Sequence, residues 1–154
     1  MNKKQLTDLV IIPALKEIPK GFSASSVLAI QMIIAHESRR GEYIAQKEGP
    51  AIGIIQMEPE TYYSTWNYGN SIWDNALKLG IISEHEKHTK RPPKIERLLY
   101  DLRYNVFIAR QRLFMFTEKL PNNAEDMSHY LKNYWNAGGK ATATKYHYDF
   151  KIWS

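Results

Sequence analysis

Residues 23–38 read SASSVLAIQMIIAHES and contain the most apolar run of the chain, Val27 to Ala35. Apolar side chains there cover almost every face of a helix, which is typical of a helix buried in a protein core. A serine hydroxyl just before such a run can accept a hydrogen bond from the first free backbone amides. The candidates for this N-cap are Ser23, Ser25 and Ser26. We therefore predict a buried central helix that ends at His36–Glu37.

Short segments on both sides of this helix predict a small helical domain. Before it, Leu9–Leu15 forms an apolar stretch of seven residues with Pro13 inside it and no small-residue cleavage site after it. We interpret it as an amphipathic helix rather than an export signal, so we expect a protein made in a cytoplasm without a signal peptide. After the central helix, 43–46 and 51–56 predict two short strands that form a small β-hairpin.

The second half of the chain continues the helical pattern. Charged residues at 84–93 predict a polar loop, and apolar residues at helical spacing predict one long helix over 95–116. Asn123 can cap the next helix, which Gly138 ends, and a last helix leads to Trp153. The fold class is therefore mainly α, or α+β because of the hairpin, with helices around the central one.

Length and composition exclude several classes. The 154 residues suit a single domain over 1–154. The absence of cysteine excludes disulfides, thiolate metal sites and a cysteine nucleophile. A net charge of +5 favours an anionic partner, such as nucleic acid, an acidic envelope polymer or a membrane surface, but many soluble proteins are simply basic. Charge alone leaves these alternatives open.

Glu37 is the strongest candidate for chemistry. A carboxyl group at the C-terminal end of an apolar helix meets a low dielectric and the negative end of the helix dipole, and both raise its pKa. A carboxylic acid that stays protonated near neutral pH can donate a proton to a glycosidic oxygen, which glycosidic bond cleavage requires. Position alone also fits a solvated carboxylate at a helix end.

Four short motifs around Glu37 resemble those of soluble lytic transglycosylases and goose-type lysozymes. That family has Glu-Ser, Gly-Leu-Met-Gln-x-x-Pro-x-Thr, Asn-Ile-x-x-Gly-x-x-Tyr-Leu and Ala-Tyr-Asn-Ala-Gly, in this order. The corresponding segments here are HES at 36–38, GIIQMEP at 53–59 with Thr61, NVFIARQRL at 105–113 and YWNAG at 134–138. The short chain is similar to the phage-encoded members, the endolysins.

The resemblance implies a lysozyme-like fold and cleavage of the MurNAc–GlcNAc β-1,4 bond of peptidoglycan, with Glu37 as the catalytic acid and no cofactor. In lytic transglycosylases one residue acts as acid and then as base, and the product has a 1,6-anhydromuramoyl end. The alternative is a hydrolytic muramidase, which needs a second carboxylate. By sequence Glu58 is better placed for that role than Glu42, Glu48 or Asp74.

The resemblance also implies the substrate-binding residues, which are Ser38, Gly53, Gln56, Tyr134, Trp135 and Asn136. Ser38 could instead bond locally at the helix end, and Asn136 could serve to end its helix. The chain departs from the family at several positions. Trp135 replaces a Tyr, Ala109 a Gly and Arg112 a Tyr, and Glu58 stands where the family is usually apolar.

Two other kinds of site are disfavoured. Glu84, His85, Glu86 and His88 cluster, but a charged, solvated loop rarely fixes metal geometry, so we expect no metal. The lysines and arginines are spread along the chain without a nucleic-acid-binding motif. The partners expected are therefore the glycan strand and an anionic envelope surface, reached after release from the host cell, with no nucleic acid, no transmembrane segment and a monomeric protein.

Overall fold

The computed structural model describes residues 1–154, and the protein is mainly helical. Nine α-helices follow one another along the chain. They are α1 (Lys3–Leu6), α2 (Ile12–Glu17), α3 (Ala24–Glu37), α4 (Pro59–Asn67), α5 (Ser71–Lys78), α6 (Glu84–Thr89), α7 (Leu102–Phe114), α8 (Ala124–Tyr130) and α9 (Ala143–Lys151). A π-helical turn at Thr7–Ile11 joins α1 to α2, and a second at Leu131–Trp135 continues α8.

Helix α3 is the buried central helix that its sequence predicts. The Ser23 hydroxyl accepts a hydrogen bond from the Ser26 backbone amide at 2.9 Å, and the Ser26 hydroxyl accepts one from the Ser23 amide at 2.8 Å. This reciprocal capping satisfies two donors at the start of the helix. Side chains from Ala29 to Ala35 are fully buried except at Gln31. Helices α7, α8 and α9 surround it.

The N-terminal segment is amphipathic, as predicted. Leu6, Ile11 and Leu15 are buried in the common core, while Leu9 between them is 72% exposed. The Thr7 hydroxyl accepts a hydrogen bond from the Gln31 side-chain amide at 2.9 Å, which ties this segment to α3. None of the helices combines the length and the apolar character that crossing a bilayer requires.

The predicted β-hairpin does not form regular strands. Only two isolated antiparallel bridges occur in this region, Ala45 with Ile52 and Ile52 with Met57. The reason lies in the backbone of the second predicted strand, where Gly53 has φ +83° and Gln56 has φ +49°. Left-handed residues cannot continue an extended strand, so the chain turns back on itself twice within a few residues.

The prediction of a polar loop at 84–93 is wrong for its first half. The Ser83 hydroxyl accepts from the Glu86 amide at 3.1 Å, and the Glu86 carboxylate accepts from the Ser83 amide at 2.8 Å. This capping box starts α6, and Lys90 ends it in the left-handed conformation with φ 54°. Charged residues on every side of so short a helix hide its periodicity in the sequence.

The single long helix predicted over 95–116 is also wrong. A 3-10 helix at Ile95–Leu99 comes first, and α7 starts anew at Leu102. The Asp101 carboxylate causes the division, because it accepts a hydrogen bond from the Tyr104 amide at 2.9 Å as an N-cap. The apolar spacing continues across the break because both segments pack against the same core.

Candidate active site

The end of helix α3 positions Glu37. The Ser38 hydroxyl donates to the Ile34 carbonyl at 3.1 Å and accepts from the Gly41 amide at 3.0 Å. Residues 39–41 then have φ of 49°, 61° and 77°, so the helix cannot continue. Ser38 is fully buried. Of the two roles considered for Ser38, the structure shows the local one.

The Glu37 carboxyl group is partly buried and has one hydrogen-bond donor within the protein. The Tyr146 hydroxyl donates to Glu37 Oε1 at 2.7 Å. Burial is the largest influence on the pKa of Glu37 and raises it, and the nearby charge of Glu58 raises it further. The Tyr146 hydrogen bond and the charge of His36 act in the opposite direction, but the pKa remains raised. Glu37 therefore keeps its proton to higher pH than an exposed glutamate does.

A polar network on α9 holds Tyr146 in place. His36 Nδ1 lies 2.8 Å from Asp149 Oδ2, and the His36 ring lies 4.0 Å from the Tyr146 ring. Lys145 Nζ donates to the other oxygen of Asp149 at 2.8 Å. Because Asp149 is buried, these contacts join α9 firmly to the end of α3. Sequence reasoning had given Tyr146, His36 and Asp149 no role at the site.

Replacement of Tyr146 by Phe is expected to raise the pKa of Glu37 further. The hydroxyl hydrogen bond stabilises the carboxylate, so its loss favours the protonated form while burial still disfavours the charge. Carbon-detected NMR titration of the Glu37 carboxyl measures this shift. Tyr148→Phe, an exposed residue on the same helix, should leave the titration unchanged. An unchanged Glu37 titration in Tyr146→Phe would show that the hydrogen bond has no influence.

Glu37 lies where two adjoining cavities of about 340 Å³ and 380 Å³ meet. Both are lined by Glu37, Gln56 and Glu58, so together they form one groove across the protein. On one side the wall is the segment 135–139 together with Arg112 and Thr61. On the other side it is formed in part by Tyr43 and Lys47. A groove made of two adjoining cavities suits an extended polymer better than a small molecule.

The structure brings some of the predicted substrate-binding residues to the groove and places others elsewhere. Gln56, Trp135 and Asn136 line it, as does the proposed second carboxylate, Glu58. Gly53 is buried and lines neither cavity. Tyr134 packs against the ring of Tyr130 at 4.8 Å and that of Phe116 at 5.6 Å, and it lines neither cavity.

Three aromatic residues of α4 and α5 lie in the core and not at the groove. The buried ones are Tyr62, Trp66 and Trp73. The Tyr62 hydroxyl donates to the Pro93 carbonyl at 2.6 Å and the Trp66 indole donates to the Tyr104 hydroxyl at 3.2 Å, so their polar atoms are used inside the protein. Of Tyr134 and Trp135, the two aromatic residues predicted to bind substrate, only Trp135 lines the groove.

Two side-chain amides in the groove have a free oxygen. Gln56 donates its amide nitrogen to the Gly53 carbonyl at 2.9 Å, which fixes the side chain and leaves its amide oxygen without a protein partner. The Asn136 side-chain oxygen is buried and has no hydrogen-bond partner. Asn136 also ends the preceding helical turn, but with φ −111°, and the left-handed residue that follows is Gly138. The Gln56 amide oxygen can accept a hydrogen bond from a polyhydroxylated ligand, whereas the Asn136 oxygen is covered by the protein in this conformation.

No three histidine, aspartate or glutamate side chains converge as a potential metal-ligand set. The histidines and glutamates of 84–88 instead belong to α6. No protein-family model matches the chain, and no match was found among curated proteins or solved structures. The assignment of a function therefore depends on the groove and its residues.

Proposed function

We propose that this protein cleaves the glycan strand of peptidoglycan at the MurNAc–GlcNAc β-1,4 bond, with Glu37 as the general acid. The observation that carries the proposal is a carboxyl group with a raised pKa where two halves of an open polar groove meet. The walls of that groove come from the segments that resemble the second and fourth motifs of the lytic transglycosylase and goose-type lysozyme family. Cleavage of a glycosidic bond by carboxyl groups needs neither a metal nor a cofactor.

The surroundings of Glu37 suit both halves of an acid–base cycle. As an acid, the protonated carboxyl donates to the leaving glycosidic oxygen while positive charge develops at the sugar carbon. The Glu37 carboxylate that results retains the hydrogen bond from Tyr146, which stabilises the negative charge. In the transglycosylase variant, this carboxylate then removes the proton of the muramic acid 6-hydroxyl, whose oxygen attacks the sugar carbon and forms the 1,6-anhydro ring.

Glu58 is the one other carboxylate that lines the groove. Among the alternatives, Asp74 Oδ1 lies 2.8 Å from Lys87 Nζ and Glu42 lies 3.9 Å from Arg39, while Glu48 lines neither cavity. Glu58 is exposed at the N-cap of α4, where water screens its charge. We favour the transglycosylase reaction because a single partly buried carboxyl group suffices for it. The alternative is hydrolysis, with Glu58 as the base that activates water or as the carboxylate that stabilises the cation.

Replacement of Glu58 by Gln separates these two reactions. For a transglycosylase we expect a loss of less than about tenfold in rate and products that remain anhydromuropeptides, because Glu58 takes no part in the proton transfers. Removal of its charge should also lower the pKa of Glu37 and move the basic limb of the pH profile to lower pH. Mass spectrometry of muropeptides released from purified walls distinguishes the ends, which differ by one water. Glu48→Gln is the matched control.

If the wild-type protein releases products with reducing ends and Glu58→Gln loses this activity, the protein is a muramidase instead. Cleavage of neither kind from wild-type protein would exclude the proposed function altogether.

The wider role that we propose is that of a phage endolysin with a lysozyme-like arrangement of helices. The protein would act as a monomer and reach the wall after release from the host cell. Its net charge of +5 would favour adsorption to an anionic envelope at low salt.

A further inference from the structure

Arg112 lies on α7 and lines the same cavity as Glu37. Two aromatic rings hold its guanidinium group, the Trp135 ring at 5.5 Å and the Phe116 ring at 5.4 Å. These contacts come from different segments of the chain, so they restrict the side chain without using its hydrogen-bond donors.

The guanidinium of Arg112 makes no hydrogen bond and no ion pair within the protein, although Arg112 is partly buried. Other arginines with restricted exposure are paired: Arg97 with Asp101 at 2.9 Å, Arg110 with the Gly21 carbonyl at 2.9 Å and Arg40 with the Asp149 carbonyl at 3.3 Å. Removing a cation from water is unfavourable unless an anion or acceptors replace the lost hydration. The five donors of Arg112 are therefore unused beside a cavity that a ligand can enter.

We infer that Arg112 binds a carboxylate carried by the glycan substrate, which makes it a residue that determines specificity for charged over neutral strands. The inference rests on the proposed function. A guanidinium forms two parallel hydrogen bonds with a carboxylate, a geometry that a Tyr at this position cannot provide.

The acidic residues of the groove explain why a cationic side chain would be needed to bind a charged strand. Peptidoglycan carries carboxylates, either on the lactyl group of muramic acid or on the peptide attached to it. The cavity that holds the reacting bond is also lined by Glu58, and by Glu37, which becomes negative once it has given up its proton, so an anionic strand would meet unfavourable charge there. Arg112 is the one cationic side chain that lines this cavity, and Lys47 lies in the adjoining one.

The test compares cleavage of strands with and without carboxylates. Glycan strands stripped of peptide by an amidase carry free lactyl carboxylates, and coupling to methylamine converts these to neutral amides. Peptide-bearing strands are treated in the same way. The ratio of kcat/KM for the charged over the neutralised strand is measured for wild type, Arg112→Gln and Arg91→Gln. Arg91 is the matched control because it is exposed and its side chain is also unpaired.

We expect wild type and Arg91→Gln to prefer the charged strand by about tenfold, the effect of one charge-assisted contact. In Arg112→Gln this ratio should fall towards one. A preference confined to the peptide-free pair identifies the lactyl carboxylate as the ligand, and one confined to the peptide-bearing pair identifies the peptide.

If wild type cleaves all four strands with no preference, or if Arg112→Gln keeps the wild-type ratio, the inference about Arg112 is wrong while the proposed function stands. If wild type cleaves none of them, both are wrong. Circular dichroism of each variant establishes that it is folded.

Discussion

Glu37→Gln is expected to reduce the rate of wall cleavage by about 10³-fold, within the range that general acid catalysis contributes. Glutamine has nearly the same shape and can still accept the hydrogen bond from Tyr146, but it has no proton to give to the leaving oxygen. The reaction would then depend on water as the acid, which cannot be held at the sugar oxygen. Loss of turbidity of purified cell walls and release of muropeptides measure the effect.

The same substitution should leave the fold intact. The pKa of Glu37 is raised in the folded protein, so its protonated form contributes stability that is fully present below the unfolded pKa and is lost as the pH rises through the folded pKa. Glutamine does not ionise, so the free energy of unfolding of Glu37→Gln should decline less over that pH range. Denaturant unfolding at a series of pH values checks this.

Glu60→Gln is the matched control, because Glu60 is exposed on α4 and lines neither cavity. It should cleave walls at the wild-type rate. Wall cleavage by Glu37→Gln at a rate near that of this control would exclude Glu37 as the catalytic acid.

The central helix and its burial could be predicted because they depend on local patterns. A run of apolar residues determines what must be buried, and a serine before it determines where the helix can start. The division of the predicted long helix could not be predicted in this way. Asp101 is one of several polar residues in its region, and only the three-dimensional path of the chain makes it a cap rather than an exposed helix residue.

In the site, too, contacts between residues far apart in the sequence could not be predicted. The motifs placed Glu37, Gln56 and Asn136 on one groove, because each motif is a short segment that resembles a known one. Tyr146 lies 109 residues after Glu37, and no spacing rule connects a tyrosine on the last helix to a glutamate on the third. The sequence distinguishes Arg112 only by its departure from the motif that this segment resembles. That departure does not show where in the folded protein the side chain lies.

Gly53→Ala is expected to destabilise the protein by about 2–5 kcal/mol, the largest stability effect that we predict for a single methyl group. Two costs combine. Gly53 has φ +83°, a conformation that an L-residue adopts only with strain. The new methyl group would also overlap the side-chain oxygen of Asn105 and lie 3.0 Å from Leu98 Cβ.

Asn105 cannot easily move away from that methyl group. It is fully buried, and its amide nitrogen donates to the carbonyls of Leu98 and Asp101, each at 2.8 Å. The Gly53 amide in turn donates to the Ile44 carbonyl at 2.7 Å, and its carbonyl accepts from the Gln56 side chain. Any shift of Gly53 therefore moves one wall of the groove, so activity should fall together with stability.

Gly80→Ala separates the two costs. Gly80 has φ +71°, close to that of Gly53, but a methyl group there would have no atom within 4 Å. This control should lose only the backbone contribution of about 1–2 kcal/mol, and it should keep full activity because Gly80 lines neither cavity. Denaturant unfolding of both variants gives the difference, which is the free energy of the steric overlap with Asn105 and Leu98. If both variants lose the same free energy of unfolding, Asn105 and Leu98 move away from the methyl group at no cost. The position of Gln56 would then depend on the backbone conformation of Gly53 and not on its packing against Asn105.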